Sequence, residues 1–316
     1  MRTTNFNLNY TFNSKISPYI DLVDEQQQLW IENYLWMPQP MRHAYKTSKI
    51  ITLAAIIFPN ADYPGLLAIS RWILLGFAFD DYYDASSKEQ FSIICKKSIG
   101  VLNGAKVDLE SDSVDDIFLR EFASVRDMFK EVSSSFWLKR FIANQELWLE
   151  GMKEETVYNQ YTDKVVYPTY EDYLSIREKI SGCLILSDFV EVASGFMIPE
   201  EIYHTPYIQK LRHHITFSIM WSNDIYGAAR ELERNEVMNL VLVLKNENNC
   251  SLEEAYDKAA KLHNDGMDEF IKLSHNIPDF GKYNGDVLMY IENAKLLLQG
   301  QKEWHENSDR YKKEEA

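Results

Sequence analysis

Long stretches of helix-period apolar residues, with almost nothing to interrupt them, set the first limit on this chain. Only 12 glycines and 9 prolines are spread over 316 residues. No run alternates apolar and polar residues long enough to make a strand. The expectation is therefore all-α: a single-domain α-helical bundle with a central cavity between antiparallel helices. With 46% hydrophobic and 13% aromatic residues there is enough apolar material to fill one large core. No repeat and no linker rich in Gly or Ser divides the chain, so residues 1–316 read as one domain. The polar, Asn-rich residues 1–18 read as an arm lying over it.

Helices are expected over about Glu25–Leu35, Tyr45–Phe58, Pro64–Asp84 and Lys88–Leu102, followed by a polar loop over 103–115. More follow over about Asp116–Lys130, Phe136–Tyr158, Thr169–Phe196, Pro206–Lys245, Leu252–Ile277 and Gly281–Glu306, with Thr169 as an N-cap.

The formal net charge of −15 excludes a nucleic-acid partner, because phosphate backbones need a cationic surface. An acidic protein that handles a polyanion has to recruit metal ions to do it. Cys95, Cys183 and Cys250 are odd in number, far apart and in apolar surroundings, which reads as reduced, buried thiols. The start of the chain lacks the basic and apolar regions of a signal peptide. The longest apolar run, Ile50 to Phe58, stops at Pro59 and is too short to span a bilayer. A soluble cytoplasmic protein without a membrane span is expected.

Two acidic clusters carry the chemistry. Phe79-Asp80-Asp81-Tyr82-Tyr83-Asp84 and Asn223-Asp224-Ile225-Tyr226-Gly227-Ala228-Ala229-Arg230-Glu231 each end an apolar helical stretch. At helical pitch Asp80 and Asp84 lie about 40° apart, above Ile73, Gly76 and Phe77 on the same side. Asn223, Gly227 and Glu231 share a face by the same spacing, above Thr216, Ile219 and Met220. Two helices so built can face each other across one pocket, acidic at the rim and apolar on the floor. Mg²⁺ suits the rim, since it takes oxygen ligands, keeps several waters and is held by one or two carboxylates plus phosphate oxygens. A solvated helix end is the plain alternative for either cluster alone.

These motifs resemble those of the class I terpene synthases, in particular the compact single-domain microbial kind. The family's DDxx(x)D/E motif matches Asp80-Asp81-Tyr82-Tyr83-Asp84, and its NDxxSxx(K/R)E motif matches Asn223 through Glu231 at all but one position. Arg177 stands where the family has its pyrophosphate-sensing Arg. Ser181-Gly182 resembles the helix break whose carbonyl helps trigger ionisation. Arg310-Tyr311 resembles the pair that closes over the diphosphate, preceded by an aromatic at Trp304.

The resemblance implies a Mg²⁺-dependent terpene cyclase, with three Mg²⁺ ions and an isoprenyl diphosphate substrate, farnesyl diphosphate first and geranylgeranyl diphosphate second. It implies metal ligation by Asp80, Asp84, Asn223 and Glu231. It assigns substrate contacts to Arg177, Ser181, Gly182, Arg230, Trp304, Arg310 and Tyr311, with residues 304–316 as a lid, while Phe77 and Met220 are expected, from their helix faces, to join Trp304 in the cavity wall. Asp224 falls off the ligand face and is expected to support the helix instead.

Two departures stand out. Gly227 replaces the usual hydroxyl ligand, so a water is expected there; a decayed site is the competing account. Ile180 stands where a polar residue often links the sensor to the break. A chain-elongating prenyltransferase and a non-catalytic helical interaction protein remain as rivals. The sequence leaves the oligomeric state open, a homodimer included.

Overall fold

The computed structural model describes residues 6–47, 50–83, 86–158 and 165–308. Fourteen α-helices occur among them, joined by short turns, and no strand. They are α1 Ile20–Asn33, α2 Gln39–Thr47, α3 Leu53–Ile57, α4 Tyr63–Tyr83, α5 Lys88–Leu102, α6 Val114–Val132 and α7 Ser135–Glu155. The second half contains α8 Tyr170–Ile180, α9 Cys183–Ser194, α10 Glu200–Tyr203, α11 Pro206–Glu233, α12 Leu240–Glu247, α13 Leu252–His275 and α14 Asn284–Asn307. No helix among the described residues is long and apolar enough to cross a membrane.

Helix starts are written in the chain as side-chain caps. Ser87 and Ser251 form capping boxes with Gln90 and Glu254, while Ser113, Ser134, Thr169 and Thr205 each accept from a backbone N–H of the first turn. Pro206 then occupies the first turn of α11, where its missing N–H costs nothing. The central helices are α4 and α11. α4 buries residues on most of its circumference, Leu66, Trp72, Leu75 and Phe79 among them, so it reads as apolar all round. α13 is amphipathic instead and buries Ala255, Ala259, His263, Met267, Phe270 and Ser274 along one stripe against α11 and α12.

Three helices expected as continuous are broken, each for a local reason. The Tyr45–Phe58 stretch divides into α2, a short 3-10 turn and α3. Thr169–Phe196 breaks at Gly182, whose φ of 69° is left-handed. Pro206–Lys245 ends at Glu233, where Asn235 takes φ 58° and the Glu236 N–H reaches back to the Glu231 carbonyl at 2.9 Å, a Schellman ending. Asn239 then starts α12 by accepting from the N–H groups of Val241 and Leu242.

Buried charges lock α7, α9 and α11 together at the far side of the break. Arg140 donates to Glu191 at 2.7 Å and Arg212 to Asp188 at 2.6 Å, all four shielded from solvent.

Candidate active site

α4, α7, the α8–α9 break, α11 and α14 enclose one cavity of about 360 Å³. Its apolar end is lined by Trp72, Ile73, Phe77, Trp148, Leu186 and Ile219. Asp80 and Asp81 from α4 border its polar end, and Arg177, Asn223, Arg230 and Glu231 border it from α8 and α11. The two acidic clusters thus share one pocket.

The α11 wall is assembled around Asp224, which is fully buried. Its Oδ2 accepts from the Tyr173 hydroxyl at 2.6 Å and the Leu240 N–H at 2.7 Å, and its Oδ1 from Arg177 Nη2 at 2.6 Å and Nε at 2.9 Å. Arg177 Nη2 also donates to Asn223 Oδ1 at 3.0 Å. Against the cost of burial, the Asp224 and Glu231 carboxylates push the Arg177 guanidinium well above its ordinary value. Burial pushes the Glu231 carboxyl up to about 7, and Asp224 adds to that while Arg177 and Asn239 oppose it.

Asn239, also fully buried, donates to Glu231 Oε2 at 2.7 Å and to the Asp224 carbonyl at 2.8 Å. One side chain therefore caps α12 and anchors Glu231. The residues from Asn235 to Leu240 double back on α11 so that this is possible.

The donor set fits a hard divalent cation. Carboxylates and an amide oxygen converge on one cavity, yet among the described residues no three His, Cys, Asp or Glu side chains cluster closely enough to hold a metal alone. Sparse protein oxygens completed by water and phosphate are the Mg²⁺ pattern.

The family described as terpene synthase family 2, C-terminal metal binding, matches residues 71–269. The chain belongs to the terpene synthases. It is 27% identical over 308 residues to germacrene A synthase of Nostoc punctiforme, covering 95% of this chain and 93% of that one. It is 25% identical to the (+)-T-muurolol synthase, (2E,6E)-farnesyl diphosphate cyclizing, of Roseiflexus castenholzii, covering 96% and 92%. The fold matches germacradien-4-ol synthase from Streptomyces citricolor with a TM-score of 0.82 at 20% identity, covering 95% of this chain and 98% of that one. A metal-binding terpene synthase domain implies a divalent metal.

Within this synthase the expected site residues distribute unevenly. Phe77, Asp80, Arg177, Ser181, Gly182, Asn223, Arg230, Glu231 and Trp304 all border the cavity. Ser181 closes α8 by donating its N–H to the Arg177 carbonyl at 3.0 Å, so the arginine and the break are one backbone turn apart. Met220 does not reach the cavity; it is fully buried in the core. Gly227 is buried beneath Glu231, and a Cβ built on it would collide with Glu231 Oε1. Asp84, Arg310 and Tyr311 lie outside the described residues.

Four residues escaped the sequence reading. Trp72 lies about two turns below Asp80 on α4, beside Ile73 but about 80° around the helix from Asp80, so a wider reading of the Asp80 face would have included it. Its ring tip would lie 3.3 Å from a Cβ on Gly182, which is why the break approaches α4 so closely. Trp148 comes from α7, and no motif marks it among the other aromatics. Asn239 precedes an apolar run as an N-cap does, and that signal was available. His305 follows Trp304 directly and carries no pattern of its own.

Proposed function

We propose that this synthase is a Mg²⁺-dependent sesquiterpene cyclase acting as one domain over residues 1–316 in the cytoplasm. It ionises a linear isoprenyl diphosphate, farnesyl diphosphate, and guides the allylic cation to a cyclic product. The two-ended cavity carries this reading: oxygen donors from facing helices at one end, aromatic and aliphatic side chains at the other. The Roseiflexus relative, a (2E,6E)-farnesyl diphosphate-cyclizing synthase, supports farnesyl diphosphate as the substrate.

Asp80 with Asp84 would hold magnesium from one wall and Asn223 with Glu231 from the other, a water standing in at Gly227. Three ions are expected from the family pattern. When bound, the ions neutralise the diphosphate and make it a competent leaving group. Arg177 and Arg230 donate to its oxygens, and Arg177 suits this because a guanidinium offers a planar fork of N–H groups. Arg310 and Tyr311 close over it, as the resemblance implies. A backbone carbonyl of the Ser181–Gly182 break would help trigger ionisation, as the resemblance implies. Trp72, Phe77, Trp148 and Trp304 present ring faces to the passing cation and exclude water until proton loss or water capture ends the reaction.

One incubation tests this. Geranyl, farnesyl and geranylgeranyl diphosphates are supplied with and without Mg²⁺, with and without isopentenyl diphosphate, and hydrocarbons are analysed. Cyclic sesquiterpene from farnesyl diphosphate, only with Mg²⁺, is expected. Longer diphosphates would mean a prenyltransferase, and no turnover of any substrate would end the catalytic reading.

A further inference from the structure

Asn223 faces two partners with opposite demands. Its Oδ1 meets Arg177 Nη2 at 3.0 Å, and its Nδ2 stands 3.3 Å from His305 Nε2. A guanidinium only donates, so the amide atom turned toward Arg177 is the oxygen. The amide nitrogen therefore faces the imidazole, and its N–H can be satisfied there only if Nε2 offers a lone pair. That arrangement requires the His305 proton to sit on Nδ1.

The imidazole is held in that orientation from several sides. It is buried on α14, and the Tyr226 ring stacks on it at 4.9 Å and 18°. Gln301 Nε2 also stands 3.3 Å from the imidazole Nε2 and shares that atom's one lone pair with Asn223. Tyr226 is fixed in turn: its hydroxyl donates to Glu306 at 3.3 Å, and the Phe6 ring stands perpendicular to it at 5.3 Å. Phe6 stacks on Tyr256 of α13 at 5.1 Å, and Asn9 N–H and the Asn7 carbonyl pair with the Asn264 amide at 2.8 Å each. The N-terminal segment thus ties α13 to the Tyr226 ring of α11 that stacks on His305.

We propose that His305 is a positioning residue, which accepts from Asn223 Nδ2 and so keeps Asn223 Oδ1 turned toward the metal pocket. A hard cation binds an amide through oxygen, and the NH₂ end offers it nothing. The Asn223 oxygen has two lone pairs, one for Arg177 and one for the ion. Removing the acceptor on α14 takes away one of the contacts that favour this orientation over the flipped amide, Arg177 being another. The proposal rests on Asn223 being a metal ligand, as the proposed function has it.

The test uses the full chain and reads binding of Mg²⁺ with inorganic diphosphate by titration calorimetry, beside the thermal midpoint without metal. His305→Phe keeps a ring against Tyr226 but removes the acceptor, and should weaken binding about tenfold, in the range seen for residues that orient metal ligands. His305→Gln supplies an amide oxygen and should recover most of the loss. Asn223→Asp has no NH₂ to orient, so adding His305→Phe to it should cause no further loss. Equal affinity in wild type and His305→Phe, or an undiminished loss in the Asn223→Asp background, would overturn the positioning role. Unchanged affinity in Asn223→Ala would instead remove the metal role of Asn223, and this proposal with it. A measurement on the unaltered protein settles the case if His305→Phe does not fold: ¹⁵N shifts of His305, assigned with His305→Gln, should show the Nδ1–H tautomer. An Nε2–H tautomer would overturn the proposal.

Discussion

The two walls that share the cavity are built in different ways. On α4, Asp80 and Asp81 sit at an exposed helix end, and Asp81 accepts a hydrogen bond from the Tyr45 hydroxyl of α2. On α11, Asp224 and Glu231 are buried and tied to α8, α12 and Asn239. The α11 wall is assembled by folding itself. The α4 wall leaves its carboxylates in water, where ionised groups need no partner to be stable. Carboxylates on the α4 side can adjust to an arriving ligand at little cost, whereas those on the α11 side can move only by breaking buried bonds.

The sharpest way to break this comparison is to remove one carboxylate from each wall. Asp224→Ala leaves the Arg177 guanidinium, the Tyr173 hydroxyl and the Leu240 N–H without their acceptor, and Arg177 is itself largely buried. A loss of about 3–5 kcal/mol in folding stability is expected, as for other ion pairs broken inside a protein. Chemical denaturation measures it, and a loss under about 1 kcal/mol would show that the wall is not preassembled. Asp80→Asn should do the reverse. Its thermal midpoint should match wild type, while kcat on farnesyl diphosphate falls about 10²–10³-fold, the scale of losing one electrostatic contact to a developing charge. Full activity in Asp80→Asn would dissolve the facing-wall arrangement.

The same contrast explains what could be read from the chain and what could not. Helical periodicity and caps make the bundle legible, and α5 runs from Lys88 to Leu102 as expected. The ligand faces were legible too, because i, i+4, i+8 spacing on a helix is a local property and places Asn223, Gly227 and Glu231 in one row. What was not legible is non-local. Asn239 reaches Glu231 only because α11 ends at a left-handed Asn235 and the chain folds back. His305 reaches Asn223 only because α14 packs against α11. Met220 shows the converse error: a face drawn by helical spacing is broad, and at its lower end Ile219 meets the cavity while Met220 meets the core.

Acid should act mainly on the preassembled side. His263 on α13 is fully buried and pairs through Nε2 with the Tyr10 hydroxyl of the N-terminal segment at 3.0 Å. Burial pulls its imidazole down to about 4, against a smaller opposing effect of Asn264. Burial likewise pulls His305 down to about 3. Both stay neutral in the folded chain but would protonate near pH 6.5 once unfolded. Their contribution is therefore fully present above about pH 6.5 and is lost as pH falls toward the folded values. Each group costs about 1.4 kcal/mol per pH unit across its window. Between pH 7 and pH 5 the raised carboxyl of Glu231 works in the opposite direction, so the test is the difference: the stability-versus-pH slope of His263→Gln, measured by denaturation, should lie below that of wild type, by at most about 1.4 kcal/mol per pH unit. Identical slopes would show that the N-terminal segment is not held by a buried neutral histidine.

The smallest effect expected concerns Gly227, where the two accounts of a missing hydroxyl part company. In this synthase Glu231 Oε1 occupies the space a side chain at 227 would take, while Glu231 Oε2 is held by Asn239. Gly227→Ser therefore has opposing consequences. Serine favours the helix over glycine by roughly 0.5 kcal/mol. The new Cβ, however, forces the Glu231 carboxylate aside and strains or breaks its bond to Asn239, worth about 1 kcal/mol net. Because the colliding atom is the far end of a flexible side chain, the backbone can stay in place. Folding stability should change by less than about 1 kcal/mol in either direction. The displaced carboxylate and the added hydroxyl both turn toward the cavity, so the Mg²⁺ concentration giving half-maximal turnover should fall. A rise in that concentration would mean that Glu231 already sits where the ion needs it, and that glycine at 227 is what lets it.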